Sequence, residues 1–205
     1  MSNLQQLTED SIKILIDGKA NYEPFREIAG SNPQNYENSR CAAVLCPLVR
    51  QIDGWHLVFI RRTETVFDHK GQVAFPGGVC EPEDQSLEET ALRETTEEIG
   101  VAAKDIRILG RLRGLETVSS YRITPVVGAF DWPYQFTPSV EEVSRIFTIP
   151  LEWLINPENQ EARAHARPGV EIPVIYFKPF DGELLWGATA RIVNNLLEIL
   201  ELRQK

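Results

Sequence analysis

Residues 77–101, GGVCEPEDQSLEETALRETTEEIGV, hold the pattern from which the fold of this chain is predicted. Ser86 followed three residues later by Glu89 is a capping-box pattern, and Gly100 is a typical helix end, so we predict a helix over residues 86–99. At about 100° per residue, three glutamates share one face of this helix and the apolar residues share the other. The acidic residues are Glu94, Glu97 and Glu98, and the opposing side holds Leu87, Ala91, Leu92, Thr95 and Ile99.

The three glutamates predict a site for a divalent cation. Glu94 and Glu98 are four residues apart, and like charges at this spacing destabilise an isolated helix by roughly 0.2–0.5 kcal/mol. A bound cation would remove this repulsion, and carboxylate oxygens suit Mg²⁺ or Mn²⁺. The alternative interpretation is a solvated acidic face without a ligand.

A glycine loop precedes the helix. The sequence of residues 75–78 is FPGG, and paired glycines let bare backbone approach a metal ion or a phosphate. Loop and helix together resemble the signature of the Nudix hydrolase family, G-x5-E-x7-R-E-U-x-E-E-x-G-U with U aliphatic. Residues 93–101, RETTEEIGV, match its second half, with Thr95 at an aliphatic position. In the first half there is one residue more between Gly78 and Arg93, and Asp84 or Gln85 stands where glutamate is expected.

The resemblance implies a fold, an activity and roles for these residues. The implied fold class is α/β, with a mixed sheet sandwiched between helices, and the implied activity is hydrolysis of a diphosphate linkage. Glu94, Glu97 and Glu98 would hold Mg²⁺ or Mn²⁺, and Glu97 or Glu94 would accept the proton of the attacking water. Arg93 would pair with one of these glutamates and fix its rotamer. Glu142 is the candidate for a further acid from a distant loop, with Glu141 as the alternate; otherwise Glu142 only forms a capping box with Ser139.

Residues 58–78, VFIRRTETVFDHKGQVAFPGG, resemble the upstream motif of the coenzyme A diphosphatases within the same family. The matching residues are Arg62, Gly71, Phe75, Pro76, Gly77 and Gly78, and the resemblance implies that all of them except Pro76 bind substrate. Phe67 replaces the second arginine of the motif. Arg122, in a segment similar to the same subgroup, would contact phosphate or pair with a neighbouring carboxylate. The implied substrate is coenzyme A or a thioester of it; the alternatives are ADP-ribose or another nucleoside diphosphate derivative, and a Nudix binding or sensor module without catalysis.

The remaining chain predicts one domain, residues 41–205, after an N-terminal segment of residues 1–40 with a helix at 8–17 capped by Thr8 and a polar connection. The patterns predict strands at 41–49, 55–60, 106–109, 121–130, 146–151 and 172–177, short helices at 139–144 and 151–155, a polar loop at 157–168 and a C-terminal amphipathic helix within 184–202.

Composition limits the partners and the compartment. The net charge of −9 argues against a general nucleic-acid binder and leaves a small nucleotide as the expected partner. No apolar run approaches about 18 residues, and the N-terminus lacks a signal pattern, so we expect a cytoplasmic protein without a membrane partner. Cys41, Cys46 and Cys80 lack CxxC spacing, which predicts reduced thiols. The oligomeric state stays open, with a homodimer as one alternative.

Overall fold

The computed structural model describes residues 3–19, 39–64, 70–117, 120–167 and 170–203. The helices are α1 (Glu9–Lys19), α2 (Leu87–Ile99), α3 (Leu151–Ile155) and α4 (Gly187–Ile199), with 3₁₀ turns at Asn3–Gln6, Ala103–Asp105 and Pro157–Asn159. The strands are β1 (Arg40–Gln51), β2 (Gly54–Arg62), β3 (Val73–Ala74), β4 (Gly77–Val79), β5 (Arg107–Arg111), β6 (Leu115–Glu116), β7 (Tyr121–Ala129), β8 (Val143–Pro150), β9 (Gln160–Arg167) and β10 (Val170–Phe177). Within the described ranges, no helix is long and apolar enough to cross a membrane.

Eight of the described strands form one mixed sheet. Its central order is β3-β2-β1-β7-β5, and β4 pairs with β1, β6 with β7 and β8 with β2. β1 and β7 run parallel from the pair Arg40 and Tyr121 to the pair Leu48 and Ala129, whereas the other pairs are antiparallel. β9 and β10 form a separate hairpin. This mixed sheet confirms the predicted α/β class.

Helices cover both faces of the sheet. Because side chains alternate along a strand, Cys46 and Leu48 of β1 enter one core while Leu45 and Val49 enter the other. α1, α3 and α4 bury their apolar residues in the first core, and α2 buries Ala91 and Ile99 in the second. The three-layer arrangement places the acidic helix alone against one face of the sheet.

The predicted ends of α2 are confirmed. The Ser86 hydroxyl accepts the N–H of Glu89 at 3.2 Å. The Glu89 carboxylate accepts the N–H of Gln85 at 2.7 Å rather than that of Ser86. Gly100 ends the helix in the left-handed region, with φ of 73°. Thr8 caps α1 as predicted, since its hydroxyl accepts the N–H of Ser11 at 3.1 Å.

Two local predictions were wrong. Residues 139–144 do not form a helix: the Ser139 carbonyl accepts the N–H groups of Glu142 and Val143, and Val143 then pairs with Arg62 as the first residue of β8. Residues 157–168 are not only a polar loop, because β9 pairs with β10 along its whole length. Pairing with a neighbouring strand outweighs the polar composition of β9. The polar connection predicted up to residue 40 falls mainly outside the described residues, as does Phe67.

The prediction of three reduced thiols was also wrong. Cys41 and Cys80 form a disulfide with their Cα atoms 5.4 Å apart, while Cys46 is free and buried. The pairing of Ala42 with Val79 brings the two cysteines together although they are 39 positions apart in sequence. Sequence spacing could not show this contact, because it depends on how β4 pairs with β1.

Candidate active site

Glu98 lies at the centre of the site and is almost fully buried. Its side chain is 2% exposed, its Oε2 accepts the N–H of Gly77 at 3.0 Å, and its Oε1 accepts from Nη1 of Arg62 at 3.2 Å. Burial raises the pKa of this carboxyl to about 7, although Gly77 and Arg62 act in the opposite direction. The negative charges of Glu94 and Glu142 add to the rise. The site therefore concentrates acidic groups around one buried carboxylate.

The glycines of β4 let the backbone reach these carboxylates. Gly77 has φ of 151°, and a Cβ there would lie 2.5 Å from Cα of Val44 in the neighbouring strand. A Cβ on Gly78 would lie 2.5 Å from an oxygen of the Glu94 carboxylate. The space that a side chain would fill at either position is thus already taken by β1 or by the acidic helix.

Arg93 connects the glutamates to the loop before the helix. Its Nη1 donates to Glu94 at 3.0 Å and to Glu97 at 3.3 Å, and its Nη2 donates to the carbonyl of Val79 at 3.0 Å. Its Nε and Nη2 donate to the two carboxylate oxygens of Asp84 at 3.1 and 3.0 Å. This two-point contact fixes the guanidinium plane and, through it, the Glu94 side chain.

Asp84 is the residue whose structural importance was missed from the sequence. Its carboxylate also accepts the Glu81 N–H and the Thr90 hydroxyl, each at 2.9 Å, and its side chain is 8% exposed. The hydrogen bonds from Arg93, above all, hold the pKa of Asp84 well below its usual range. The usable signal was the position of an acid in the loop where the family signature has glutamate.

Glu94 and Glu97 differ in exposure. The Glu94 side chain is 17% exposed, whereas that of Glu97 is 58% exposed. Desolvation raises the pKa of Glu94, and the charges of Glu97 and Glu142 add to this effect, while Arg93 opposes it. The three glutamates of the predicted shared face therefore differ in solvent exposure, which increases from the buried Glu98 through Glu94 to the exposed Glu97.

Glu142, predicted as a distant acid, lies near this cluster. It stands in the turn before β8, where its backbone carbonyl accepts the N–H of Thr63 at 2.9 Å. Its exposed side chain is close enough for its charge to raise the pKa of both Glu94 and Glu98. The alternate, Glu141, is exposed, and its carbonyl accepts from the Thr63 hydroxyl at 2.7 Å.

Three other predicted substrate-binding residues lie outside the glutamate cluster. Gly71 has φ of 62°, and a Cβ on it would collide with a carboxylate in the β2–β3 connection. Phe75 is 3% exposed and stacks on Phe59 with ring centroids 4.8 Å apart, so it is a core residue. Arg122 lies on β7, with its Nε 3.8 Å from Oε1 of Glu116, a residue that is 6% exposed.

Comparison with known proteins gives the family. The family model of the NUDIX domain matches residues 39–171. The chain belongs to the Nudix family. The Nudix hydrolase NudL of Yersinia pestis (strain Pestoides F) is 37% identical over 160 residues, which cover 78% of this chain and 79% of the relative. The NudL of Yersinia pseudotuberculosis (serotype O:1b, strain IP 31758) has the same identity and coverage.

A solved structure agrees with the Nudix fold. The NUDIX hydrolase of Alicyclobacillus acidocaldarius is 17% identical, with a TM-score of 0.51 over 78% of this chain and 92% of its own. At this identity the likeness supports the fold alone. Family membership makes the chain a hydrolase of pyrophosphate bonds that acts on nucleoside diphosphate derivatives.

Nudix hydrolases generally use divalent metal ions, and the acidic cluster has the chemistry for one. Carboxylate oxygens are suitable donors. Burial is the main cause that raises the pKa of Glu94 and Glu98, and a cation would relieve the smaller contribution from the neighbouring carboxylate charges. Among the described residues, no group of three or more His, Cys, Asp or Glu side chains is already arranged to hold a metal ion. Arg93 and Arg62 instead contact these carboxylates, so their oxygens would have to turn toward an incoming cation.

Proposed function

We propose that this Nudix hydrolase cleaves coenzyme A or its thioesters to 4′-phosphopantetheine, or its acyl form, and adenosine 3′,5′-bisphosphate. One observation carries the proposal: Arg62, a residue of the coenzyme A diphosphatase-like segment, contacts the buried Glu98 of the acidic helix at 3.2 Å. Gly77, at the end of the same segment, donates its N–H to the other oxygen of Glu98. The subgroup motif and the hydrolase signature therefore meet on one carboxylate.

Glu94, Glu97 and Glu98 would hold Mg²⁺ or Mn²⁺, with Glu142 as a further acid. When bound, the cation supplies a lower pKa for water and charge neutralisation on the diphosphate. Before a cation binds, other side chains of the protein hold these glutamates in position. Arg93 holds Glu94 by one hydrogen bond and is itself fixed by Asp84.

The reaction needs a proton acceptor beside the attacking water. Water forms a bond to one phosphorus, the bridging P–O bond breaks, and the departing phosphate leaves with the electrons of that bond. Glu97 or Glu94 takes the proton of the water, and the exposure of Glu97 favours it for access. Arg62 and Arg122 would bind the phosphates by charge-assisted hydrogen bonds.

ADP-ribose or a related nucleoside diphosphate derivative is the second candidate substrate, and the substitution at Phe67 favours it. Without the second arginine of the motif, one charge-assisted contact to the coenzyme is lost, which is worth about 1.5–3 kcal/mol. That corresponds to roughly ten- to a hundredfold in affinity.

The proposal includes a cytoplasmic location for the protein. Its oligomeric state stays open, with a homodimer as one alternative.

Product identification tests the proposal directly. The purified chain is incubated with Mn²⁺ or Mg²⁺ and, separately, with coenzyme A, ADP-ribose and a dinucleoside polyphosphate, and the products are identified by mass spectrometry. We expect phosphopantetheine and adenosine bisphosphate from coenzyme A. Turnover of only ADP-ribose or the polyphosphate would reject the coenzyme A assignment while keeping the Nudix chemistry.

A further inference from the structure

The Cys41–Cys80 disulfide joins the two strands that form the base of the glutamate site. Cys80 directly follows β4, and its N–H donates to the carbonyl of Cys41 at 3.0 Å. Cys41 is exposed and Cys80 is partly buried, so the bridge is open to reagents in solution. An exposed bridge of this kind is accessible to thiol exchange, unlike one enclosed in the core.

We propose that this cysteine pair is a thiol–disulfide modification site, and that its oxidation state sets how firmly β4 is held beneath the glutamates. The site would take dithiol reductants in one direction and a disulfide oxidant in the other. The effect on turnover rests on the proposed function, whereas the effect on β4 does not.

Each residue of β4 contacts the acidic helix or its arginine. Gly77 donates its N–H to Glu98 at 3.0 Å, and the Cα of Gly78 faces the Glu94 carboxylate so closely that a Cβ would clash. The carbonyl of Val79, the residue before Cys80, accepts from Arg93 at 3.0 Å. A shift of β4 therefore changes three contacts of the site at once.

Apart from these contacts with the acidic helix, β4 is held in the sheet by a short pairing with β1. It is three residues long and its register with β1 consists of three pairs, from Ala42 with Val79 to Val44 with Gly77. The carbonyl of Pro76, the residue before β4, also accepts the N–H of Leu45 at 2.8 Å. The bridge joins residues that are 39 positions apart, so its loss also removes a constraint on the unfolded chain, which lowers the free energy of unfolding.

The same bridge also reaches the neighbouring strand on the other side of β1. Cys41 lies opposite Arg122 in the parallel β1–β7 register, and Arg122 is a predicted phosphate-binding residue. Cys41, one end of the disulfide, thus lies on β1, which pairs both with the strand that carries the glycines and with the strand that carries this arginine. Loosening of β1 near Cys41 would alter the spacing between the two.

Reduction follows ordinary exchange chemistry. A thiolate of the dithiol attacks Sγ of Cys41, the more exposed residue of the pair, and the S–S bond breaks with Cys80 leaving as a thiolate that takes up a proton. The second thiol of the reductant then attacks the mixed disulfide and releases Cys41 as a thiol. The protein gains two electrons and two protons, and the reductant leaves as its own disulfide.

The third cysteine provides an internal control. Cys46 is free and buried in the core of the sheet, and burial raises the pKa of its thiol well above the usual value. Since the thiolate is the reactive form, Cys46 should not take part in exchange. A Cys46→Ser variant keeps the proposed site, and a Cys41→Ser/Cys80→Ser variant lacks it.

The test follows the whole chain through a series of redox buffers made from reduced and oxidised dithiothreitol. At each ratio, alkylation followed by peptide mass spectrometry measures which cysteines are free, hydrogen exchange measures the protection of residues 77–80, and Mn²⁺-dependent turnover of coenzyme A is recorded. We expect the bridge to open in the reducing buffers, the amides of residues 77–80 to exchange about tenfold faster, and turnover to fall severalfold.

The variants decide the interpretation. Cys46→Ser should respond as the natural chain does, while the double serine variant should resemble the reduced form in every buffer. Free Cys41 and Cys80 thiols throughout the oxidising buffers would overturn the proposal. Unchanged hydrogen exchange and turnover after the bridge opens would also overturn it. If coenzyme A is cleaved in neither state, the proposed substrate fails, and alkylation and hydrogen exchange still test the redox site.

Discussion

Glu98 is both a buried structural acceptor and a predicted metal ligand, and substitution can separate these roles. Glu98→Gln keeps an oxygen that can accept the N–H of Gly77, but it removes the negative charge beside Arg62. A neutral amide also avoids the desolvation that raises the pKa of the carboxyl to about 7. We therefore expect the fold to be retained, with an unfolding free energy within about 1.5 kcal/mol of the natural chain.

Metal-dependent turnover of Glu98→Gln should fall by about a hundredfold or more, because a predicted charged ligand is lost. Initial rates at saturating Mn²⁺ and urea unfolding curves measure both quantities. Glu88→Gln is the matched control: Glu88 lies on the same helix but pairs with Arg111, away from the cluster. Near-natural rates for Glu98→Gln at saturating metal would contradict the assignment of this residue.

Asp84 gives a prediction with a defined pH dependence. Its pKa lies well below the usual value in the folded chain, so its contribution to stability is present above about pH 4, the unfolded value, and is lost as pH falls through the folded pKa. Asp84→Asn should cost about 1.5–3 kcal/mol at pH 7, because it removes the negative charge and one of the two oxygens that accept from Arg93.

Urea unfolding of the natural chain and Asp84→Asn at pH 7, 4 and 3 checks this prediction, and the difference between them should shrink progressively below about pH 4. Glu83→Gln is a suitable control, since Glu83 is an exposed neighbour in the same loop. A difference that stays constant over this range would show that the Asp84 charge does not contribute through Arg93.

Among the strands, β4 is one in which a larger side chain should lower both stability and turnover. In Gly78→Ala, the new Cβ would lie 2.5 Å from the Glu94 carboxylate, so the carboxylate or the strand must move. We expect destabilisation by about 1–3 kcal/mol and a ten- to hundredfold loss of turnover. Gly18→Ala in α1 is the control, because a Cβ there meets nothing within 4 Å. Equal effects of the two substitutions would argue against a tight contact at β4.

The elements also show which features a sequence can predict. α2 was predicted with its cap and its end because the signals at Ser86 and Gly100 are local. β9 was missed because its polar residues do not predict a strand, although it pairs with β10. The Cys41–Cys80 bridge was missed because it depends on the pairing of β4 with β1, which are distant in sequence. Asp84 was located in the loop, but its two-point contact with Arg93 depends on how the loop folds back on α2.

For the whole molecule, the N-terminal helix belongs to the folded domain. Ile12 and Ile16 of α1 are 0% and 1% exposed and lie in the core that also contains α3 and α4. Arg107 of β5 donates to the Glu9 carboxylate at 2.8 and 2.7 Å, which ties the start of α1 to the sheet edge. Within the described residues, α1 therefore shares its core with α3 and α4, while the family match begins at residue 39.

Truncation of one α1 side chain tests whether this packing stabilises the entire fold. Ile12→Ala removes buried methyl groups and should lower the unfolding free energy by about 2–5 kcal/mol, because the surrounding helices cannot fully close the cavity. Ile14→Ala, two residues away and 70% exposed, should change it by less than about 0.5 kcal/mol. Both variants should keep the natural KM in their folded fraction, since α1 lies on the sheet face opposite α2. A single cooperative transition with a lowered midpoint would show one unit; loss of α1 signal before the main transition would show that α1 unfolds separately.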